Sequence, residues 1–194
     1  MVHQDTSQNR LGTRAFEQYF TRPEIGDLLV GQMTLTDADH IVELGAGEGS
    51  LLAAARRRWQ AAHLTSVDID QSLRITGIAV RDHKHMVLNV LSPAFARSRG
   101  FDDAEFDAAV CNPPYHLTEL AQPYRALLRK VGLQAALPRE GGMPADLVFL
   151  AHNLRLLRAG GQMGIIVPDG TVTGGAQPPT SRGVASFARA PQRH

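Results

Sequence analysis

An apolar run, Ala108-Ala109-Val110-Cys111, ends abruptly in Asn112-Pro113-Pro114-Tyr115. Proline has no N–H to give to a sheet ladder, so a strand must stop at Asn112. A residue that precedes a proline is driven toward extended geometry. The product is a stiff turn that carries one carboxamide, one fixed carbonyl and one aromatic ring. At the carboxyl end of a strand in an open α/β sheet, that is where ligands bind. The Asn112 side-chain oxygen and the Pro113 carbonyl are two acceptors suited to an amine, and Tyr115 offers a stacking face. The same residues also fit a turn that only stops a strand, and by themselves they leave both readings open.

A second stretch, "VELGAGEG", places Gly45, Gly47 and Gly49 after an acid, Glu43. Glycines there allow a tight turn and let the backbone approach a ligand. The spacing is G-x-G-x-G without a following Lys-Ser/Thr, which argues against a phosphate-binding P-loop. About twenty residues on, "SVDID" ends in acids, with Asp68 where a carboxylate can accept ribose hydroxyls. Glycine turn and acids together predict a nucleoside cofactor with a positive centre.

The elements that must position these residues alternate. Pro23 suits the first turn of a helix running to about Met33. "HIVELGAGEGS" reads as a strand and turn, "SLLAAARRRW" as a helix with Arg56, Arg57 and Arg58 exposed, and "LTSVDID" as a second strand. A short helix is expected over "QSLRITGIAV", a third strand over "HMVLNVLS" and a fourth over "FDAAVCNPPY". "LTELAQPYRALLRKVGLQA" reads as helix broken near Pro123, and "LPREGGMPA" as a loop. "ADLVFLAHNLRLLRAGG" reads as a helix capped by Gly160 and Gly161, before a fifth strand in "QMGIIVPDG". Apolar strands separated by helices predict an α/β fold: a mainly parallel sheet with helices on both faces.

In this order and spacing, "VELGAGEG", "SVDID" and "NPPY" resemble the class I methyltransferases that use S-adenosyl-L-methionine, with a Rossmann-like fold. NPPY is similar to the catalytic motif of amino-methyltransferases, chiefly the N6-adenine DNA methyltransferases. "QYFTRPEIGDLLV" resembles the short motif ahead of the cofactor domain in gamma-type enzymes of restriction–modification systems, and "LLRAGGQMGIIVPDG" resembles type I modification subunits. The resemblance implies that Phe20, Thr21 and Pro23 lie near the methionine end of the cofactor and that Glu43, Gly45 and Gly47 line its amino-acid portion. It implies that Asp68 holds the ribose, that Ile69 packs on the adenine ring, and that Asn89 stands where the family usually has Asp. Catalysis falls to Asn112, Pro113, Pro114 and Tyr115, which would hold the exocyclic amine of a flipped adenine. The amine is a poor nucleophile, so alignment of an already activated methyl supplies much of the acceleration. Arg22, between Thr21 and Pro23, and Asn89 depart from the commonest family pattern.

Other candidates rank lower. Cys111 lies within the apolar strand and reads as a small hydrophobe rather than a nucleophile. The eight histidines show no metal-ligand spacing, and "HKH" at residues 83–85 reads as a solvated turn. His116 borders the pocket by adjacency, Asp146 suits a helix cap, and Asp169 with Gly170 suits a turn. A net charge of +1 offers no bulk electrostatic argument for nucleic acid. The single cysteine excludes an internal disulfide framework and fits a reducing cytoplasm. No run is apolar and long enough to span a bilayer.

The expected organisation is a polar arm over residues 1–13, a catalytic domain over 14–170 and a disordered tail over 171–194. The tail is rich in Pro and Gly and contains no acid. The resemblance implies two further strands after the fifth, so the chain reads as truncated, with a bare fifth-strand edge inviting self-association. DNA is the expected partner, with a specificity or nuclease subunit beside it. Alternatives are an RNA base or protein glutamine as methyl acceptor, or a cofactor- or DNA-binding remnant without turnover.

Overall fold

A computed structural model describes residues 21–73, 75, 78, 82–98, 101–167 and 185–189. The expected arm (1–13), Phe20, Asp169 and Gly170, and half of the helix expected over residues 71–80 lie outside the described residues. Helix α1 (Pro23–Gln32) leads into strand β1 (His40–Leu44), helix α2 (Ser50–Arg58) and strands β2 (His63–Asp68) and β3 (His83–Val87). Strand β4 (Phe106–Cys111) follows, then short strand β5 (Leu117–Thr118), helix α3 (Gln122–Lys130) and short strand β6 (Met143–Pro144). Helix α4 (Ala145–Leu156), strand β7 (Leu157–Ile166) and strand β8 (Ala185–Arg189) complete the described elements.

The sheet order is β3-β2-β1-β4-β7-β8, parallel except for β8, while β5 and β6 form a separate antiparallel pair. This is the α/β architecture of a Rossmann-like class I methyltransferase. Every residue of β4 is buried, because the strand faces helices on both sides. From Ala108 onward, past an irregularity after Phe106, its alternate residues divide between two cores. Ala108 and Val110 pack with α1 and α2 around Leu29, Leu51, Leu52 and Trp59. Phe106, Ala109 and Cys111 pack with α4 around Phe95, Phe101 and Phe149.

Buried polar side chains tie the loops to this frame. Gln162 of β7 accepts the N–H groups of Thr34 and Leu35 at 2.9 and 3.1 Å, fixing the exit of α1. Asp107 of β4 accepts those of Asp39 and His40 and pairs with Arg158. Burial opposes that charge, but these partners leave its carboxyl below the ordinary range.

Several sequence-based expectations need correction. Residues 83–85 form strand, not a solvated turn: parallel pairing puts His83 and His85 on one face, with Ser66 Oγ 2.8 Å from His83 Nε2 and 2.7 Å from His85 Nδ1. The third strand starts and ends earlier than expected, and the chain turns at Asn89. Pro123 lies in the first turn of α3 and starts that helix rather than breaking it. Gly160 and Gly161 do not cap α4. The helix runs straight into extended Leu157, and the glycines occupy an irregularity between the Phe106↔Leu157 and Ala108↔Gln162 pairs, with Gly160 at φ 78°. Of the three arginines, Arg57 is exposed, whereas Arg58 donates to the Val30 and Leu35 carbonyls and stacks over Trp59 at 4.8 Å.

The tail is corrected too. Residues 185–189, expected to be disordered, pair antiparallel with residues 162–166 of β7. The expected bare edge therefore carries one of the two strands that the resemblance implies. Edge pairing is satisfied by backbone N–H and C=O groups, so it needs no alternating apolar pattern.

His152 of α4 is buried edge-on against Phe95, with ring centroids 4.9 Å apart. Burial first, and then the Arg155 charge, push its pKa down to about 3. The folded state thus favours neutral His152. Its stabilising contribution is complete above the unfolded pKa of 6.5 and is lost as pH falls toward 3. His83, lowered by burial and then by His85 and Arg56, acts in the same direction. Resistance to urea is expected to fall across this window by up to about 1.4 kcal/mol per pH unit through His152. His152→Leu should flatten that dependence, and an unchanged slope in the variant would refute the assignment.

Candidate active site

Strands β1 and β4 are parallel neighbours, so their carboxyl ends meet at one edge of the sheet. Leu44 passes there into the glycine turn, and Cys111 passes into Asn112. A cleft with about 260 Å³ of open space lies between them, lined by Thr21, Glu43, Gly45, Ala46, Gly47, Glu48, Ser50 and Asn112.

The turn is tied down from β2. Gly45 and Ala46 donate to the Val67 carbonyl at 2.8 and 2.9 Å. Asp68, only 6% exposed, accepts the Gly47 N–H on Oδ2 at 2.8 Å and the Asp70 N–H on Oδ1 at 2.9 Å. A carboxylate has about four acceptor positions, so capacity remains for a ligand hydroxyl. Gly49 closes the turn at φ 81°, where an added Cβ would come within 2.7 Å of Ile75.

Because Gly49 is the N-cap of α2, no side chain there can satisfy the helix's first N–H groups. Glu43 supplies the missing acceptor from β1: its Oε2 takes the Leu52 N–H at 3.0 Å. The carboxyl is 2% exposed. Burial raises its pKa well above the ordinary range, against the lowering effect of Leu52 N–H, and the nearby Asp68 charge adds to the rise. Cys111 is buried beside it and donates to the Leu44 carbonyl at 3.3 Å. Burial and then Glu43 raise the thiol well above its ordinary value, as befits a core residue and not a thiolate nucleophile.

Asn112 is half-buried and held at both ends of its carboxamide. Nδ2 donates to Thr21 Oγ1 at 3.1 Å, and the Tyr115 hydroxyl lies 2.8 Å from Oδ1. The same hydroxyl lies 2.9 Å from the Ile166 carbonyl of β7. Pro113 is buried, and Pro114 is half-buried. Thr21 stands two residues before Pro23, so the start of α1 reaches the end of β4 across 91 positions of sequence.

The cleft thus gathers Thr21, Glu43, Gly45, Gly47 and Asn112 of the residues singled out from sequence, with Asp68 one hydrogen bond behind Gly47. Pro23, Ile69, Asn89 and Tyr115 are not among its lining residues. Ile69 is 44% exposed just beyond β2, an apolar face open to a planar ring. Asn89 is exposed, and its Oδ1 accepts the Leu91 N–H at 2.9 Å, which shapes the turn after β3. Sequence reasoning missed Ala46, Glu48 and Ser50, which are visible in "GAGEGS" only as spacing residues. It also missed the Ile166 carbonyl, for which a side-chain motif holds no signal. Two carboxyl groups, a carboxamide and two hydroxyls around one cleft suit a guest with a cationic centre and an amino group. Among the described residues no cluster of three or more His, Cys, Asp or Glu could hold a metal ion. No described helix is long and apolar enough to cross a membrane.

Comparison with known proteins agrees with this geometry. Residues 24–136 match the model of the methyltransferase small domain family. The chain is 35% identical over 95 residues to ribosomal RNA small subunit methyltransferase C of Pseudomonas aeruginosa strain LESB58, and 34% identical over 95 residues to that of strain UCBPP-PA14. Each match covers 46% of this chain and 26% of the relative, so the chain spans about a quarter of their length. The crystal structure of a type I restriction-modification methyltransferase subunit from Streptococcus thermophilus superposes with a TM-score of 0.59 at 19% identity. It covers 78% of this chain and 34% of that one, a likeness of fold. The chain belongs to the methyltransferase small domain family, a class I methyltransferase whose cofactor is S-adenosyl-L-methionine.

Proposed function

We propose that this chain transfers a methyl group to the exocyclic amine of a nucleic-acid base, with small-subunit ribosomal RNA as the favoured acceptor. The observation that carries the reading is the Asn112 carboxamide, fixed at the end of a fully buried strand and facing the cleft of Glu43 and the glycine turn. RNA is favoured by the sequence likeness to the Pseudomonas enzymes. DNA adenine at N6 is the second reading, supported by the motif resemblance of "NPPY" and "QYFTRPEIGDLLV".

In this reading Thr21, Pro23, Glu43, Gly45 and Gly47 hold the amino-acid end of the cofactor, Asp68 the ribose, and Ile69 and Asn89 the adenine. Bound S-adenosyl-L-methionine supplies a methyl group already activated by its sulfonium centre. Asn112 Oδ1 and the Pro113 carbonyl accept the two hydrogens of the acceptor amine and turn its lone pair toward the cleft. The two prolines fix that carbonyl in advance, which limits reorganisation during the reaction. Neither acceptor is a base at neutral pH, so the surplus proton leaves to water. Tyr115 presents its ring to the base.

Tritium transfer from labelled cofactor, run in parallel on small-subunit ribosomal RNA, unmethylated DNA and protein, should label the RNA. Label in DNA alone would replace the RNA reading with the adenine one, and label in protein alone or in none would defeat both. Burial shifts Glu43 toward its protonated form, and it must be ionised to pair with a cationic ligand. Calorimetric affinity for the cofactor is therefore expected to rise with pH below the raised Glu43 pKa, with proton release, and Glu43→Gln should remove that dependence. A pH-independent affinity in the native protein would refute this role. Asp68→Ala should lower both cofactor affinity and resistance to urea, because the Gly47 and Asp70 N–H groups lose their acceptor. The stability cost is about 1–3 kcal/mol; reduced affinity with unaltered stability would contradict the anchoring role.

A further inference from the structure

Asn112 can aim either its oxygen or its nitrogen at a given neighbour, and the two orientations have nearly the same shape. Only the oxygen can accept a hydrogen from an amine. Whatever decides the orientation therefore decides whether the site can work. Two hydroxyl groups touch the carboxamide, Thr21 on the Nδ2 side at 3.1 Å and Tyr115 on the Oδ1 side at 2.8 Å. A third group, the Ile166 carbonyl, lies 2.9 Å from the same Tyr115 hydroxyl and can only accept.

We infer that Thr21 and Tyr115 are positioning residues for Asn112, with the Tyr115 hydroxyl hydrogen moving between Asn112 Oδ1 and the Ile166 carbonyl as the acceptor amine arrives. This inference rests on the proposed transfer to an amine. A phenol has one hydrogen and two acceptors within reach, so it donates to one of them at a time. At rest it satisfies Asn112 Oδ1, which keeps the oxygen turned toward the position that the amine will take. The incoming N–H replaces the phenol as donor. Rotation about the C–O bond then sends the Tyr115 hydrogen to Ile166, whose carbonyl gains a bond as the first is given up. No covalent bond forms or breaks in the exchange. While it proceeds, Thr21 Oγ1 keeps accepting from Nδ2 and holds the carboxamide against turning over.

The arrangement gives Tyr115 two separable tasks. Its ring stacks on the base, a task that phenylalanine retains. Its hydroxyl orients Asn112, a task that phenylalanine loses. Thr21, likewise, orients through its hydroxyl, which serine keeps and the near-isosteric valine lacks.

Two measurements test the proposal. The first needs neither acceptor nor turnover. In ¹⁵N-labelled protein, the Asn112 Nδ2 hydrogens are identified by their loss in Asn112→Ala, and their exchange with water is measured by saturation transfer. Thr21→Val should speed exchange about tenfold, the equivalent of one hydrogen bond, and Thr21→Ser should restore the native rate. The second is methyl transfer to whichever acceptor the tritium assay identifies. Thr21→Val and Tyr115→Phe should each lower kcat about tenfold with the acceptor KM and the melting temperature little changed. Thr21→Ser should recover most of the rate, and the double variant should lose less than the product of the single losses, since both act on one carboxamide. Unchanged amide exchange in Thr21→Val, or a Tyr115→Phe variant with native kcat, would overturn the proposal. If no acceptor is methylated at all, the functional reading fails, and the exchange measurement still decides whether Thr21 holds Asn112.

Discussion

The carboxylate of Asp68 holds two backbone N–H groups at once, one in the glycine turn after β1 and one in its own turn after β2. Much of the site depends on that bracket. The glycine turn has little side-chain packing of its own to define it, and glycine is the residue with most backbone freedom to lose on folding. Anchored through Gly47, the turn presents Gly45 and Ala46 to the cleft and delivers the chain to the start of α2. The same anchor puts a negative charge beside Glu43, adding to the cost of ionising that buried acid. Geometry and electrostatics of the cleft are thus coupled through one side chain.

The charges around the site are arranged by burial more than by pairing. Glu43 and Cys111 lie side by side in the interior with raised pKa values, and His152 lies in the adjoining core with a lowered one. All three are held toward their neutral forms, which is the ordinary response of an ionisable group to a poorly polarisable interior. For Cys111 and His152 neutrality serves packing. For Glu43, open to the cleft, it leaves an acid able to exchange its proton for a cationic partner.

The parallel sheet, and Thr21, Glu43, Gly45, Gly47 and Asn112 among the residues that line the cleft, were legible in the sequence for a physical reason. "AAVC" is apolar without interruption because β4 is covered on both faces, and "GAGEG" and "NPP" are local patterns that can be read within a few residues. What escaped was set by distant partners. The histidines of "HKH" read as solvent-loving until β3 lines up beside Ser66. Gly160 and Gly161 read as a helix cap because glycine suits a cap and a bulge equally. Residues 185–189 carry no alternating apolar pattern, yet their backbone pairs with the edge of β7. The Thr21–Asn112 bond spans 91 positions and could not be read from either motif alone.

Asn112 follows directly on a strand with all six residues buried and with parallel neighbours on both sides. Its location is therefore referenced to the centre of the sheet and not to a surface loop. Sheet centres of this kind come apart only when the whole domain does. Damage to the core should consequently act on the number of competent molecules rather than on the quality of each one. A weakened variant would have a reduced maximal rate per milligram while its surviving molecules keep native substrate affinity, and a ligand that binds only the folded state would recruit the missing fraction back.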